Sequence, residues 1–268
     1  MAESKWRSDY LPLWIGGAIR GRVRGDVVPG LRGMSEIDSA EVGLRLREQT
    51  GGLASAAALR AACRARSRAL QSVAQQLHRA GLIADWRNEA SALLDEQGVE
   101  IARCERGAFR TLGLQNRAVH INGWHPDGRL WVARRSALKR ADPGKLDNLA
   151  AGGVGAGETP RRCALRELWE EAGVPSRLAR RVDFPGMVIR SLRETTFGLH
   201  DELVIVADLV LPADFEPIGR DGEVESFACL DRAAVEAALA AEEFTVEAAL
   251  AIRESLDRRA PARAAPRR

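Results

Sequence analysis

Three glutamates, Glu167, Glu170 and Glu171, are spaced so that their carboxylates could bind one metal ion together. Residues three and four positions apart lie on the same face of a helix, so this spacing places the three acids side by side. Clusters of carboxylate oxygens are the ligands that Mg²⁺ and Mn²⁺ prefer. The pattern therefore favours a site for Mg²⁺ (or Mn²⁺), and the alternative is an exposed acidic patch on an amphipathic helix.

The flanking residues predict the helix that must position these acids. Thr159 can cap its first turn, and Pro160 suits the first helical position because its missing N–H needs no partner there. Gly173 can adopt the left-handed conformation that ends a helix. Arg166 lies one turn before the second acid and can orient that carboxylate. The glycine-rich stretch 152–157 predicts a loop whose backbone approaches a ligand closely, which beside a metal cluster suits a diphosphate.

The segment from Gly152 to Val174 resembles the signature of the Nudix hydrolases at every fixed position. That signature is Gly152, five residues, Glu158, seven residues, and then Arg166-Glu167-Leu168-Trp169-Glu170-Glu171-Ala172-Gly173-Val174. The resemblance implies an α/β fold, the Nudix α/β/α sandwich with a mixed sheet. It also implies an enzyme that uses Mg²⁺ to direct the attack of water on a diphosphate linked to another moiety.

The same resemblance assigns roles to individual residues. Glu167, Glu170 and Glu171 would be metal ligands or the catalytic base, and Arg166 would orient them. Glu158 would be a supporting acid. The backbone carbonyl of Ala151 would be a further metal ligand, at a position where many relatives have glycine.

Two further segments contain candidates for the site. Arg134, Arg135 and Lys139 lie in a basic loop and could bind phosphate oxygens, although a solvated loop explains them as well. Glu223 lies in a region where many Nudix enzymes place an additional acid, as a metal ligand or as the base, and Glu225 and Asp221 are the second choices for that acid. Its alternative is a solvated turn.

His120 and Trp124 lie in the predicted first strand of the core, residues 119–124, and are candidates for substrate contact. The ring of Trp124 could stack on a heterocyclic cation. None of the four histidines has a partner at zinc spacing, so a metal role is not predicted for them.

The elements around the signature predict a Nudix domain preceded by a smaller one. We expect an N-terminal α+β domain over residues 1–113, with helices over 39–47 and 53–80. The Nudix domain spans residues 114–256, with an apolar strand over 203–211. A disordered Arg/Ala/Pro tail spans residues 257–268.

A second resemblance covers most of the chain and concerns the substrate. Several short motifs resemble those of one Nudix subgroup. In some fungi, members of this subgroup are fused to thiamine pyrophosphokinase, and in plants and bacteria they occur free-standing. These motifs are Trp86-Arg87-Asn88-Glu89, Glu105-Arg106, Val119-His120-Ile121-Asn122-Gly123, Leu130-Trp131-Val132-Ala133-Arg134-Arg135-Ser136, Lys139, Pro143-Gly144-Lys145-Leu146-Asp147-Asn148 and Asp221-Gly222-Glu223-Val224-Glu225. The implied reaction converts thiamine diphosphate, or its damaged oxo and oxy forms, to the monophosphate.

Other functions remain open at this point. The sequence Arg134-Arg135-Ser136-Ala137 is partly similar to coenzyme A pyrophosphatases, and ADP-ribose or another nucleoside diphosphate derivative is also a possible substrate. A Nudix module that binds a metabolite without catalysis is a third hypothesis. Such modules usually lack some of the acids of the signature, and all of those acids are present here.

Composition bounds the partners and the location. The formal net charge of +3 depends on five arginines in residues 258–268, and the rest of the chain is close to neutral, which argues against nucleic-acid binding. The chain has no apolar run long enough to span a membrane and no apolar segment typical of a signal peptide near Met1. We therefore predict a cytoplasmic protein with a small-molecule diphosphate substrate, and the family resemblance allows a homodimer.

Overall fold

We describe the chain from a computed structural model, which covers residues 9–40, 43–47 and 55–259. The chain divides into two units. The first contains the residues up to Asn116 together with 155–157 and 192–202, and the second contains 117–154, 158–191 and the residues from 203 onwards. The boundary between residues 113 and 114 that we predicted for an N-terminal domain remains a prediction.

The first unit has an α+β composition. Its elements are β1 (Tyr10–Ile15), β2 (Ala18–Arg24), α1 (Val28–Leu31), β3 (Ile37–Ala40), β4 (Gly43–Leu46), α2 (Ala56–Arg79), β5 (Ala90–Leu94), β6 (Glu100–Glu105) and α3 (Gly107–Leu112). Strands β2, β1, β4 and β3 form one sheet in that order, and β5 pairs with β6. Leu70, Leu77 and Phe109 are among the fully buried side chains of its core. This unit is the small α+β region that the sequence predicts.

The predicted helix over residues 39–47 is wrong. The described part of this segment forms the end of β3 and the whole of β4, which pair antiparallel. Leu44 and Leu46 are buried on either side of the exposed Arg45, so burial alternates with the period of a strand. Strand pairing and burial therefore override the helix propensity of these residues.

The predicted helix over residues 53–80 is confirmed as α2 for its described part. The side chain of Ser55 accepts a hydrogen bond from the backbone N–H of Ala58 and caps the first turn. Residues 53 and 54 lie outside the described ranges.

The second unit is built on a larger sheet. Its strands are β7 (Gln115–Trp124), β8 (Leu130–Arg135), β9 (Leu146–Asp147), β10 (Ala150–Gly153), β11 (Val188–Thr195), β12 (Gly198–Val210) and β13 (Val224–Leu230). The start of β7 up to residue 116, the end of β11 from residue 192 and the start of β12 up to residue 202 are grouped with the first unit. The main order is β11-β12-β7-β8-β13, while β10 pairs with β7 and β9 pairs with β8. The helices are α4 (Pro160–Glu170), α5 (Ser176–Ala179), α6 (Arg232–Ala240) and α7 (Val246–Arg259).

Helices cover both faces of this sheet. Successive residues of a strand point to opposite faces, so β7 contributes side chains to two separate clusters. Val119 and Ile121 of β7 belong to the same buried cluster as Leu168 of α4. Trp124, also in β7, belongs to a second cluster that includes Ile252 of α7. The predicted α/β/α sandwich with a mixed sheet is therefore confirmed.

The C-terminal helix changes the predicted start of the tail. Helix α7 continues to Arg259, so the first residues of the segment 257–268 are helical. Residues 260–268 lie outside the described ranges. Within those ranges, no helix combines the length and the apolar character needed to cross a membrane.

Candidate functional site

Helix α4 begins and ends at the residues that the sequence predicts. The side-chain oxygen of Thr159 accepts a hydrogen bond from the backbone N–H of Arg162 at 3.2 Å, and Pro160 is the first helical residue. Gly173 follows the helix with φ of 64°, in the left-handed region. Residues 150–153 before the helix form strand β10, so the backbone beside the acids is held in a sheet.

Arg166 joins the acids of α4. Its Nη1 donates hydrogen bonds to Oε1 of Glu167 at 2.6 Å and to Oε2 of Glu170 at 3.1 Å, and its Nε donates to Oε1 of Glu158 at 3.2 Å. Burial lowers the pKa of Arg166, but its carboxylate partners outweigh burial and hold that pKa above its ordinary value. One guanidinium therefore orients three carboxylates that would otherwise repel each other.

Gly152 allows Glu167 to lie against strand β10. A Cβ atom at position 152 would lie 1.8 Å from Oε1 and 2.1 Å from Cδ of Glu167, far inside van der Waals contact. The Glu167 carboxylate is only 7% exposed. The first glycine of the signature is therefore required here because a carboxylate fills the space of its missing side chain.

Glu171 is the centre of a second group of acids. Its Oε2 accepts a hydrogen bond from the backbone N–H of Ala151 at 2.8 Å, and the side chain is buried. Burial raises the pKa of Glu171 to about 8, although the nearby ammonium of Lys139 acts in the opposite direction. Glu171, Asp221 and Glu223 each offer a carboxylate oxygen within 4.8 Å of the others.

The ammonium of Lys139 lies among these acids. Its Nζ donates to Oε2 of Glu223 and lies 3.6 Å from Oε1 of Glu171. Burial lowers the pKa of Lys139, while the charge of Glu171 raises it, and the pKa lies below its ordinary value. The structure thus brings together two residues from distant loops, Lys139 and Glu223, that the sequence analysis selected for this site.

The donor set fits a hard divalent cation. Glu167 and Glu171 are buried carboxylates, and buried carboxylates require a cation or hydrogen-bond donors to offset their desolvation. The available ligand atoms are carboxylate and carbonyl oxygens, which are the atoms that Mg²⁺ and Mn²⁺ prefer. Glu170, with a side chain 42% exposed, leaves the group accessible from solvent.

The remaining candidates lie in different surroundings. Arg134 is exposed, and its Nη1 donates to the backbone carbonyl of Gly144 at 2.7 Å. His120 is 6% exposed, and its Nδ1 lies 2.8 Å from Oδ1 of Asn148. A substrate contact by either side chain remains a prediction.

The predicted stacking role of Trp124 is wrong. Its ring is 3% exposed, and the guanidinium carbon of Arg259 lies over it, 4.4 Å from the ring centroid. The indole Nε1 donates to Oδ1 of Asp208 at 3.1 Å. A buried ring with an occupied face cannot stack on a substrate, so Trp124 is a core residue.

The buried acids Asp147 and Asp208 and their hydrogen-bond partners were not predicted from the sequence. Arg135 donates to Oδ2 of Asp147 at 2.7 Å, and the backbone N–H of Asn148 is bonded to Oδ1 of the same Asp147. Asp208 lies within the apolar run 203–211, in strand β12. The signal was available, because single polar residues inside apolar runs are usually buried with a partner.

Comparison with known proteins finds the family described as "NUDIX domain" over residues 114–250. Nudix hydrolase 24, chloroplastic, from Arabidopsis thaliana is 36% identical over 166 residues, which cover 60% of this chain and 45% of that protein. Nudix hydrolase 20, chloroplastic, from the same plant is 35% identical over 166 residues, covering 60% and 44%. The chain therefore spans somewhat less than half the length of these relatives.

Among solved structures, DR0079 from Deinococcus radiodurans is similar with 24% identity and a TM-score of 0.48. The likeness covers 62% of this chain and 98% of that chain. It is too distant to bear on the substrate.

The names of these relatives correct the predicted cytoplasmic location. Both Arabidopsis thaliana proteins are chloroplastic. Our prediction considered only apolar segments, those of a membrane span and of a secretory signal. Plastid transit peptides are amphipathic and rich in serine and arginine, so that criterion does not detect them.

Proposed function

The chain belongs to the NUDIX domain family, whose match spans slightly more than half of its 268 residues, and on that premise we propose that it is a divalent-metal-dependent hydrolase of a diphosphate bond. One observation carries the proposal. Arg166 holds three carboxylates of the signature together, and Glu167 occupies the space beside Gly152. An acidic patch without a function would not need a buried carboxylate against a glycine backbone.

Glu167, Glu170, Glu171 and the backbone carbonyl of Ala151 would hold the metal ion. When bound, Mg²⁺ or Mn²⁺ supplies positive charge to the diphosphate and lowers the pKa of a water molecule. Arg166 keeps the carboxylates in place through its fork of N–H donors. The hydrogen bond from the Ala151 N–H to Glu171 fixes the backbone of β10 against that acid.

We assign the role of general base to Glu223. Its side chain is 40% exposed, so a water molecule can reach the carboxylate, and its oxygen lies close to those of Glu171 and Asp221. Glu167 is the alternative base, but its carboxylate is buried against Gly152, so water has less access to it than to Glu223. Both carboxylates accept a hydrogen bond from a cationic side chain, so access to water is what separates them.

For the substrate, we propose thiamine diphosphate or its damaged oxo and oxy forms, converted to the monophosphate. Support comes from the short motifs of the thiamine-related subgroup, two of which meet at the site, where Lys139 contacts Glu223. Lys139 would bind phosphate oxygens. Trp124 no longer supports this substrate, because its ring is buried.

Coenzyme A, ADP-ribose or another nucleoside diphosphate derivative is the alternative substrate class. The basic pair that favours it is engaged within the protein. Arg134 donates to the Gly144 carbonyl, and Arg135 donates to Asp147 and to the Ala141 carbonyl. These contacts support a role for the pair in shaping the loop over residues 136–144.

A substrate panel with Mg²⁺ tests the proposal. Thiamine diphosphate, oxothiamine diphosphate, oxythiamine diphosphate, coenzyme A and ADP-ribose are each incubated with the wild type, with Glu170→Gln and with Glu236→Gln. Glu236 is an exposed residue of α6 paired with Arg232 and is the matched control. We expect thiamine monophosphates and phosphate from the wild type and from the control. Glu170→Gln should lose at least about 100-fold in rate, which corresponds to losing several kcal/mol of charge stabilisation.

Each other outcome contradicts one part of the proposal. Turnover of coenzyme A or ADP-ribose without turnover of the thiamine compounds would replace the substrate and keep the reaction class. Binding without turnover, unchanged in Glu170→Gln, would indicate a module that binds a metabolite without catalysis.

A homodimer remains a prediction, and light scattering can test it by measuring the molar mass in solution.

A further inference from the structure

A chain of buried hydrogen bonds runs through the second unit from β7 to β12. Nδ1 of His120 lies 2.8 Å from Oδ1 of Asn148, and Nδ2 of Asn148 donates to Oδ1 of Asn122 at 2.6 Å. Nδ2 of Asn122 then donates to Oδ1 of Asp208 at 3.1 Å. These four side chains are between 0% and 6% exposed, so water does not compete for their hydrogen bonds.

The far end of this chain consists of groups that can only accept. Asp208 is ionised, because the guanidinium of Arg258 donates to it at 2.6 Å and the hydroxyl of Ser255 donates at 2.7 Å. The same NH₂ group of Asn122 also lies 3.2 Å from the backbone carbonyl of Ala251. Two independent acceptors therefore face one side of the Asn122 amide.

These acceptors determine the direction of every bond in the chain. An amide has its donor NH₂ on one side and its acceptor oxygen on the other. Because the NH₂ group of Asn122 faces two acceptors, its oxygen faces Asn148. Asn148 must then donate to that oxygen and present its own oxygen to His120. The nitrogen of His120 at that position must carry a hydrogen.

We propose that Asn122 and Asn148 are positioning residues that place the proton of neutral His120 on Nδ1 and leave Nε2 as its acceptor nitrogen. The Asp208 carboxylate and the Ala251 carbonyl act on the ring through these two amides. His120 pairs with Ala151 across strands β7 and β10. A ring of defined tautomer is thus held next to the backbone that the Nudix resemblance assigns to metal binding. This inference goes beyond the proposed hydrolysis, because it holds whatever the substrate is.

Nuclear magnetic resonance measures the tautomer directly. Long-range ¹H–¹⁵N correlation spectra of uniformly ¹⁵N-labelled protein separate the protonated and unprotonated nitrogens of each imidazole. The spectrum of His120→Gln identifies the signals of His120. The ring is compared at a pH above which its ¹⁵N shifts no longer change, so that only its neutral form contributes. We expect the Nδ1–H form to exceed the Nε2–H form by at least about tenfold, equal to ~1.4 kcal/mol.

Two variants test whether the amides set this preference. Asn122→Leu removes the amide at similar volume and allows Asn148 to turn over, so the tautomer ratio should fall at least about tenfold, a change of ~1.4 kcal/mol. Ser255→Ala is the matched control. It removes one donor to Asp208 and leaves both acceptors that face Asn122, so the ratio should stay as in the wild type.

Three results would overturn the inference. The first is a dominant Nε2–H form in the wild type. This measurement tests the inference even if a variant fails to fold, because it needs only the wild-type protein. The second is an unchanged ratio in folded Asn122→Leu. The third is an equal shift in Ser255→Ala, which would indicate general loosening of the core and no control by the acceptors.

Discussion

Replacing the buried Asp208 by asparagine tests how much this carboxylate contributes to the free energy of unfolding of the second unit. The substitution removes the charge and exchanges one acceptor oxygen for a donor NH₂ group, while the size of the side chain stays the same. The carboxylate is 5% exposed. It accepts hydrogen bonds from four side chains, Asn122, Trp124, Ser255 and Arg258. An asparagine at this position has one acceptor oxygen, and its NH₂ group must face a buried donor.

The size of the effect follows from these contacts. Asn122, Trp124 and Ser255 donate to Oδ1, whereas Arg258 donates to Oδ2. An amide oxygen in the Oδ1 position keeps the first three hydrogen bonds and loses the charge-assisted one from Arg258, which destabilises the fold by about 1.5–3 kcal/mol. The three remaining hydrogen bonds change from an ionised to a neutral acceptor, a further loss of about 1 kcal/mol. We expect the free energy of unfolding of the second unit to fall by about 2–4 kcal/mol at pH 7.

The difference in the free energy of unfolding between wild type and Asp208→Asn should depend on pH. Burial raises the pKa of Asp208, but the hydrogen bonds from Ser255 and Arg258, together with those from the other donors, outweigh burial and hold the pKa below its ordinary value. A carboxyl with a lowered folded pKa adds stability above its unfolded pKa of about 3.9 and loses it as the pH falls through the folded value. The difference should therefore be complete at pH 7 and shrink below about pH 4.

Urea unfolding followed by the indole Nε1–H signal of Trp124 measures the free energy of unfolding at this site, since that group donates to Asp208. Asp183→Asn is the matched control. Asp183 is exposed and its backbone is bonded to the backbone of Asp208, so its side-chain change should stay within about 0.5 kcal/mol. Equal destabilisation by the two substitutions, or a difference that grows at acidic pH, would refute the reasoning.

Three other substitutions test the site and its helix. Gly152→Ala places a Cβ 1.8 Å from Glu167 Oε1, so titration calorimetry should show weaker Mn²⁺ binding. The free energy of unfolding should fall by about 1–3 kcal/mol. Unaltered Mn²⁺ affinity would contradict this. Arg166→Lys removes the planar fork, and initial rates should fall about 10–100-fold. Its thermal midpoint should hardly move, because the side chain is 39% exposed. Thr159→Ala removes the helix cap, and thermal denaturation should show a loss of about 1 kcal/mol. An unchanged melting temperature would show that the cap contributes nothing.

Local signals carried the prediction of helix α4. Thr159, Pro160 and Gly173 act within one turn of the residues they affect, so their effect depends little on the rest of the fold. The spacing of the acids placed Glu167 and Glu170 within reach of one guanidinium for the same reason. Here sequence was sufficient because the relevant distances are set by helix geometry.

Pairing between distant segments explains the failures. The segment 39–47 has good helix formers, but its place beside β1 decides its conformation. Trp124 was assigned to the substrate because nothing near it in the chain indicates its hydrogen-bond partner, Asp208, which lies 84 residues away. No periodicity in the sequence indicates which of two polar residues on separate strands will share a hydrogen bond.

The donors to Asp208 also determine where this domain can be cut. The family match ends at residue 250, whereas Ser255 and Arg258 of α7 donate to that carboxylate. A fragment truncated at residue 250 would keep Asp208 and lose the guanidinium that neutralises it. The limits of a family match and the limits of the folding unit therefore differ, and the unit extends at least through Arg258.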